Sequence, residues 1–238
     1  MPAEAIVRQS VVDVLEERLR TDILDGTHQP GSLLPPEREL AASYGVTRTT
    51  LKHALSRLEQ AGLLRTRHGV GTRVLDFLRS GGVDLLPLLV GQDGGWLSDV
   101  FEARRSIGGL IARKAASRCT SAQAARLRKA VDEVGDAPDP AGAQLAEAEV
   151  HRELARTTGN RVYLLLTNTL LNAYLPVRHV MSAPFADPAR AADRLRQVVA
   201  PVAKRSVEEA GRAAEDYLRV TAEEMTADLA GHKRRRRK

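Results

Sequence analysis

The chain has 238 residues, which exceeds one typical domain, and 43% of them are hydrophobic, so a head and a larger body are expected. Aromatic residues make up only 3%, which favours packed helices over sheets, and the net charge of +6 is no larger than that of the six consecutive basic residues at 233–238. The sequence shows neither a membrane-spanning run nor a signal-peptide pattern, and a single cysteine, Cys119, excludes an internal disulfide, so a cytoplasmic protein is predicted.

The first third of the sequence predicts three short helices. Apolar residues recur at helical spacing over residues 10–24. Pro36 can open a second helix, Gly45 interrupts that helix, and Thr47 can cap a third one. Residues 36–60 are therefore predicted to form a helix-turn-helix.

Two short extended runs follow the third helix. They cover residues 63–66 and 72–75 and flank a tip that contains Gly69. Extended segments around a glycine-bearing turn are typical of a β-hairpin. This hairpin is predicted to be the wing of a winged helix-turn-helix.

Helical periodicity dominates the rest of the chain. Between residues 76 and 95 the periodicity weakens and glycines cluster, which predicts a linker, although residues 83–90 could form a short helix. Long helical patterns then cover residues 97–117, 121–135, 142–157, 162–182, 188–205 and 207–229. The predicted fold class is mainly α.

These patterns divide the sequence into four segments. They are a DNA-binding domain at 1–75, a linker at 76–95, a helical effector-binding and dimerisation domain at 96–232, and a basic tail at 233–238. The tail is too short and too charged to fold alone, and it could add DNA affinity that does not depend on base sequence.

Polar and basic side chains gather where a recognition helix would begin. A helix that enters the major groove needs such side chains in its first turns, to reach base edges and phosphates. Arg48 can offer a bidentate fork to guanine or phosphate, and the threonines beside it suit phosphate oxygens. Arg38 can contact a second phosphate, and His68 on the wing could enter the minor groove. These residues predict a DNA-binding head.

The same stretch resembles the GntR family of bacterial regulators. The resemblance rests on Leu34-Pro35-Pro36-Glu37-Arg38-Glu39-Leu40, on Gly45-Val46-Thr47-Arg48-Thr49-Thr50-Leu51 and on the His68-Gly69 wing. It implies DNA contacts from Arg38, Thr47, Arg48, Thr49, Thr50, Lys52, His68 and Gly69. Position 52 is more often arginine in the family, and Lys52 keeps the charge without the fork.

Three later stretches are similar to the fatty-acid-responsive FadR subgroup of that family. They are residues 77–89, 151–160 and 174–190. The resemblance implies that the winged helix-turn-helix is followed by an antiparallel α-helical bundle that serves as effector domain and dimerises. It also implies that a bound long-chain acyl-CoA repositions the two DNA-binding heads.

Four residues are candidates for contacting the effector. The resemblance places Arg104 and Tyr174 where ligand-facing residues would lie. Arg178 could bind a carboxylate or a phosphate, and His151 lies in a stretch similar to the subgroup. Where the subgroup meets its coenzyme on the last helix with a glycine, a glutamate and a tryptophan, this chain has Tyr217, Arg219 and Glu224.

Many relatives with such bundles hold a divalent metal through an acid and a histidine four residues apart, together with two later histidines. Glu147 and His151 reproduce the first pair on one helix face. Leu195 and Tyr217 stand at the other two positions, and neither side chain replaces an imidazole. No metal cofactor is therefore predicted.

The predicted function is a homodimeric, sequence-specific DNA-binding transcriptional regulator, a repressor or a dual regulator, whose effector, by the resemblance, is a fatty acyl-CoA or a related lipid metabolite. Two alternatives stay open: a regulator that senses a small carboxylate through a metal-containing bundle, and an architectural DNA-binding dimer that senses nothing. An enzyme is not predicted, since a phosphate loop, a nucleophile elbow and a complete metal constellation are missing from the sequence.

Overall fold

A computed structural model describes residues 10–92 and 94–236 of the chain. The chain divides into two compact units, Met1–Leu85 and Leu86–Lys238. The side chains of the predicted basic tail at 233–238 lie outside the described part. Within that part, every helix is too short or too polar to cross a membrane.

The first unit is a winged helix-turn-helix, as predicted. It contains α1 (Val11–Leu24), α2 (Glu37–Ser43), α3 (Arg48–Gln60) and the antiparallel strands β1 (Leu64–Arg67) and β2 (Gly71–Val74). The turn between α2 and α3 contains Gly45, whose φ of 64° lies in the left-handed region that glycine tolerates best. The predicted turn residue therefore has the conformation that ends α2.

Leucines from all three helices form the core of this unit. Leu19, Leu51 and Leu58 are fully buried, and α1 packs along α3. Each of these two helices begins at a side-chain cap, Ser10 for α1 and Thr47 for α3. The core holds α3 in place, which is the support that a recognition helix needs.

Helices occupy much of the predicted linker. They are α4 (Phe77–Ser80), a 3-10 turn (Val83–Leu85) and α5 (Leu86–Gln92). Asp76 caps α4 by accepting a hydrogen bond from the backbone of Leu78, at 3.1 Å. The division between the two units falls at Leu85, inside this stretch.

The second unit is a bundle of long helices. Its members are α6 (Gly94–Arg118), α7 (Ser121–Gly135), α8 (Pro140–Thr157), α9 (Arg161–Tyr174), α10 (Pro188–Ala203) and α11 (Val207–Arg236). The prediction of one helix over 162–182 is wrong. The α-helix ends at Tyr174 and is followed by 3-10 turns at Leu175–Val180 and Ala183–Phe185, because Pro176 and Pro184 lack the N–H that an α-helix requires.

Close packing of α6 against α11 forms one side of the bundle. Gly108 permits this approach, because a Cβ atom there would lie 2.3 Å from Leu218 Cδ1. Nearby, Arg113 of α6 pairs with Glu215 of α11, with Nη1 and Oε1 2.7 Å apart. Trp96, at the start of α6, is half-buried against the apolar core of this unit.

Candidate DNA-binding and effector sites

The α3 helix has a buried apolar side and an exposed polar side. Leu51, Ala54, Leu55 and Leu58 face the core. Arg48, Thr49 and Lys52 are exposed, and the half-buried Thr50 lies beside the cap. Thr47 Oγ1 accepts a hydrogen bond from the Thr50 backbone at 3.1 Å, which orients the first turn. This exposed side is the arrangement predicted for a recognition helix.

An acidic residue of α2 faces the cations of α3. Glu37 Oε2 lies 3.6 Å from Arg48 Nη2 and 3.8 Å from Lys52 Nζ. The sequence analysis did not single out Glu37, because an acid at the start of a helix already has a favourable interaction with the helix dipole. Its contact with Arg48 and Lys52 depends on how α2 packs on α3 and carries no local signal in the sequence.

The wing places His68 and Gly69 at the tip of the β1–β2 hairpin. Gly69 has a φ of 75°, and His68 is exposed. Between the wing and α2 lies a groove of about 490 Å³, lined among others by Glu37, His68 and Gly69. Arg38 is exposed on α2, so the predicted DNA contacts all lie on the first unit.

Inside the second unit, Arg104, Glu147, His151 and Tyr217 meet around one carboxylate oxygen. Arg104 Nη2 donates to Glu147 Oε1 at 2.7 Å, and Tyr217 Oη donates to the same oxygen at 3.4 Å. His151 Nε2 lies 2.8 Å from that oxygen. The structure thus brings two of the four candidate effector residues, Arg104 and His151, to one point.

Tyr174 joins this polar cluster through its ring. The Arg104 guanidinium carbon lies 5.2 Å from the ring centroid, within the range of a cation–π interaction. Arg178 lies on the 3-10 turn that follows α9, where its Nη1 donates to the Leu175 carbonyl oxygen at 3.0 Å. The described contacts connect Tyr174, but not Arg178, with Arg104.

Burial and charge act in opposite directions on Glu147. Removal from water raises the pKa of the carboxyl, but its interactions with the Arg104 guanidinium and then with His151 outweigh that effect and lower the pKa to about 2. Glu147 is therefore an anion at neutral pH. Burial also raises the pKa of Tyr174 and Tyr217, so both phenols stay neutral.

Several polar atoms around this cluster are buried without a hydrogen-bond partner among the described residues. They include Arg104 Nη1, Glu147 Oε2, Gln144 Oε1 and Tyr174 Oη. Buried polar atoms in folded proteins are nearly always paired, so a group of them in one core is unusual. These atoms could form hydrogen bonds with a polar ligand.

A small cavity adjoins the cluster. Its volume is about 30 Å³, enough for a water molecule or two by the usual measure. Arg104 and His151 form part of its lining, and most of the remainder is apolar: Ile107, Ile111, Leu154, Leu170, Leu171 and Leu218. The cavity combines one cation and one imidazole with apolar walls.

The cluster does not fit a divalent metal. Leu195 and Tyr217 are both buried, and neither supplies an imidazole or an anionic oxygen. Arg104, a permanent cation, already holds the oxygen of Glu147 that faces His151. Among the described residues, no group of three or more histidine, cysteine or acidic side chains could hold a metal ion.

Comparisons with known proteins place both units in known families. The family described as "Bacterial regulatory proteins, gntR family" matches residues 12–74, and the FCD domain matches residues 99–220. An HTH-type transcriptional regulator of Mycobacterium tuberculosis is 34% identical over 92% of this chain and 90% of its own length. The chain belongs to the GntR family. It is a transcriptional regulator with an FCD domain and not an enzyme.

A second relative supports the FadR subgroup of the GntR family. The fatty acid metabolism regulator protein of Cronobacter sakazakii is 35% identical over 76% of this chain and 77% of its own length. The predicted family and subgroup are thereby confirmed. A solved structure of Listeria monocytogenes Lar superposes with a TM-score of 0.58 over 92% of this chain and 97% of its own, at 15% identity, and shows the same fold.

Proposed function

We propose that this GntR regulator binds a two-fold operator as a homodimer in the cytoplasm, and that a fatty acyl-CoA or a related lipid metabolite releases it. The exposed side of α3 carries the DNA part of the proposal. Arg48 and Lys52 project from a helix whose opposite side is anchored in the core. The threonine cap fixes where that helix begins.

The eight residues predicted to contact DNA divide into three proposed roles. Arg48 is proposed to read a base edge, because its fork matches the two acceptors of guanine. Arg38, Lys52 and the threonines of α3 are proposed to contact phosphates, which fix the orientation of the head without reading sequence. His68 and Gly69 are proposed to approach the minor groove.

Replacing Arg48 tests this assignment. Loss of one bidentate base contact costs about 1–3 kcal/mol, so Arg48→Ala is expected to weaken binding to the operator by about fivefold to 150-fold. The operator is first obtained by selecting duplexes from a random library with the full-length protein, and affinity is then measured by fluorescence anisotropy. The control is Arg79→Ala, which removes another exposed arginine of the same unit. Unchanged affinity in Arg48→Ala would contradict the recognition-helix assignment.

An exposed apolar face on the bundle supports self-association. On α9, Val162 and Leu165 have 58% and 64% of their surface exposed, and the half-buried Leu166 lies on the same side. Leu110 of α6, the helix packed against α9, is also exposed. We propose that these four residues form one surface, which we call the α6–α9 face.

A second copy of the chain is the proposed occupant of the α6–α9 face. A two-fold dimer buries the same patch on both subunits, and an uncharged patch can face itself without repulsion. Winged helix-turn-helix heads read two half-sites when they are paired. An apolar face that brings two chains together is therefore consistent with operator binding.

The interior of the bundle supports an acidic, partly apolar effector. Arg104 Nη1 has no hydrogen-bond partner in the part of the chain that the structure describes, and it can donate to an anionic oxygen while Nη2 stays bound to Glu147. The apolar lining suits a hydrocarbon segment. Since about 30 Å³ is too small for an acyl chain, binding requires the helices to move apart, which would link binding to a change of shape.

A dimer that senses nothing is the second candidate function, and the small volume of the cavity favours it. The unpaired atoms beside the cavity oppose it, because a core without a ligand gains nothing from unpaired polar groups. The two functions differ in whether a small molecule releases the protein from DNA.

A release assay separates the two functions. Palmitoyl-CoA, oleoyl-CoA, free oleate and coenzyme A are each titrated into the protein–operator complex, and native mass spectrometry identifies what the purified protein carries. Release by an acyl-CoA, but not by coenzyme A, is expected. The variant that replaces both partners, Arg104→Met with Glu147→Met, leaves no unpaired charge in the core, so it should fold and bind the operator but resist release. No release by any of the four compounds would leave the non-sensing dimer as the better description.

A further inference from the structure

We infer that Glu37 controls how selectively α3 binds DNA, by holding two of its cations in the free protein. This inference rests on the DNA contacts proposed for Arg48 and Lys52. One Glu37 oxygen lies 3.6 Å from Arg48 Nη2 and 3.8 Å from Lys52 Nζ. A single carboxylate therefore interacts with both cations.

The position of Glu37 brings this carboxylate to the surface proposed to face DNA. Glu37 is the first residue of α2, and its side chain is one-third exposed. It also lines the groove beside the wing residues His68 and Gly69. A phosphate that approaches Arg48 or Lys52 would come close to the negative charge of Glu37.

The negative charge of Glu37 lowers the affinity of the protein for any duplex. The operator can make up part of that loss, because it forms contacts that unrelated DNA does not. Affinity for unrelated DNA depends on how many phosphates the protein neutralises, and cations that already have a carboxylate partner contribute less. In the operator complex, hydrogen bonds from Arg48 to a base edge add energy that unrelated DNA does not supply. Contact with Glu37 also restricts the Arg48 side chain, which reduces the entropy lost on binding. Glu37 is thus a positioning residue that lowers non-specific affinity more than operator affinity.

Glu37→Gln, compared with Glu39→Gln, tests this inference. Both variants remove one negative charge from α2 and keep the shape of the side chain, but Glu39 is exposed and has no ion pair among the described residues. The probes are the duplex selected by the full-length protein and a scrambled duplex of the same length and composition. Circular dichroism and thermal melting check that both variants fold.

Glu37→Gln is expected to tighten binding to the scrambled duplex by about twofold to fivefold, since an exposed ion pair is worth at most about 1 kcal/mol. The affinity for the operator should rise by a smaller factor. The ratio of operator affinity to scrambled-duplex affinity therefore falls. The plot of log affinity against log salt should become steeper by about one unit for the scrambled duplex, as if one more phosphate were neutralised. Glu39→Gln should change the affinity for both duplexes by the same factor, and by a smaller factor than Glu37→Gln does.

A double-mutant cycle with Lys52→Gln isolates the contact from the general effect of charge. In the Lys52→Gln background, Glu37→Gln should have at most half of its effect on the scrambled duplex, because one of its two partners is gone. Equal effects of Glu37→Gln and Glu39→Gln on both duplexes, with no change of salt dependence, would overturn the inference. That result would leave the proposed function intact, since the latter depends on the separate outcome of Arg48→Ala.

Discussion

Glu147 is a buried anion whose main partner comes from another helix. Arg104 is 43 positions away in the sequence, and the pair is almost fully removed from water. Breaking such a pair leaves an uncompensated charge in the core. The free energy of unfolding that is then lost exceeds what the intact pair contributes. The energy of this contact is therefore best measured by comparing variants.

Glu147→Gln is expected to lower the free energy of unfolding by about 3–5 kcal/mol, because it leaves Arg104 without its anion. Urea denaturation of the full chain at pH 7 measures the change. The matched control replaces both partners, Arg104→Met with Glu147→Met, and should be much less destabilised since it buries no charge. Equal destabilisation of the two variants would show that packing, rather than charge, dominates at this position.

The same residue predicts a pH dependence. Because the folded-state pKa of Glu147 is about 2, below the ordinary 4.5, its contribution to stability is present above pH 4.5 and is lost as the pH falls toward 2. The fall in stability of the native chain over this window should therefore be steeper than that of Glu147→Gln. Unfolding midpoints measured from pH 5 to pH 2.5 test the difference.

At the scale of single elements, local signals predicted α3 and the wing well. Thr47 as cap, Gly45 as turn and Gly69 as hairpin tip act over a few residues, so the sequence shows them directly. The end of α9 was missed although Pro176 marks it, because the apolar residues on both sides of the proline continue a helical spacing. Arg104 was predicted as a ligand contact by resemblance, but its pairing with Glu147 depends on how α6 packs on α8 and carries no local signal.

The α6–α9 face makes a prediction about assembly. Leu165→Glu introduces a charge that would be buried twice in a two-fold interface, so it is expected to shift the protein from dimer to monomer and to weaken operator binding by at least about tenfold. Sedimentation equilibrium and anisotropy measure the two effects. Leu78→Glu is the control, because Leu78 is 73% exposed on α4 of the first unit. A Leu165→Glu protein that remains a dimer would assign the interface to another surface.

At the scale of the whole molecule, the proposed DNA contacts and the proposed effector contacts lie in different compact units. The first unit carries the exposed cations of α3, and the second carries the polar cluster around Glu147. The sequence offers DNA-contact candidates residue by residue, because short local motifs supply them. It did not predict how the effector residues pair, because α6, α8, α9 and α11 each supply one or two of them. Linkage between the units requires an effector that prefers one of two arrangements of the chain.

The only tryptophan of the sequence, Trp96, is half-buried at the start of α6, against the apolar core of the unit that holds the effector candidates. All indole fluorescence of this protein therefore originates from one position in the second unit. An optical titration can follow that unit without a label, and the DNA-binding head contributes no tryptophan signal of its own. The chain thus contains a natural reporter for separating the two binding events.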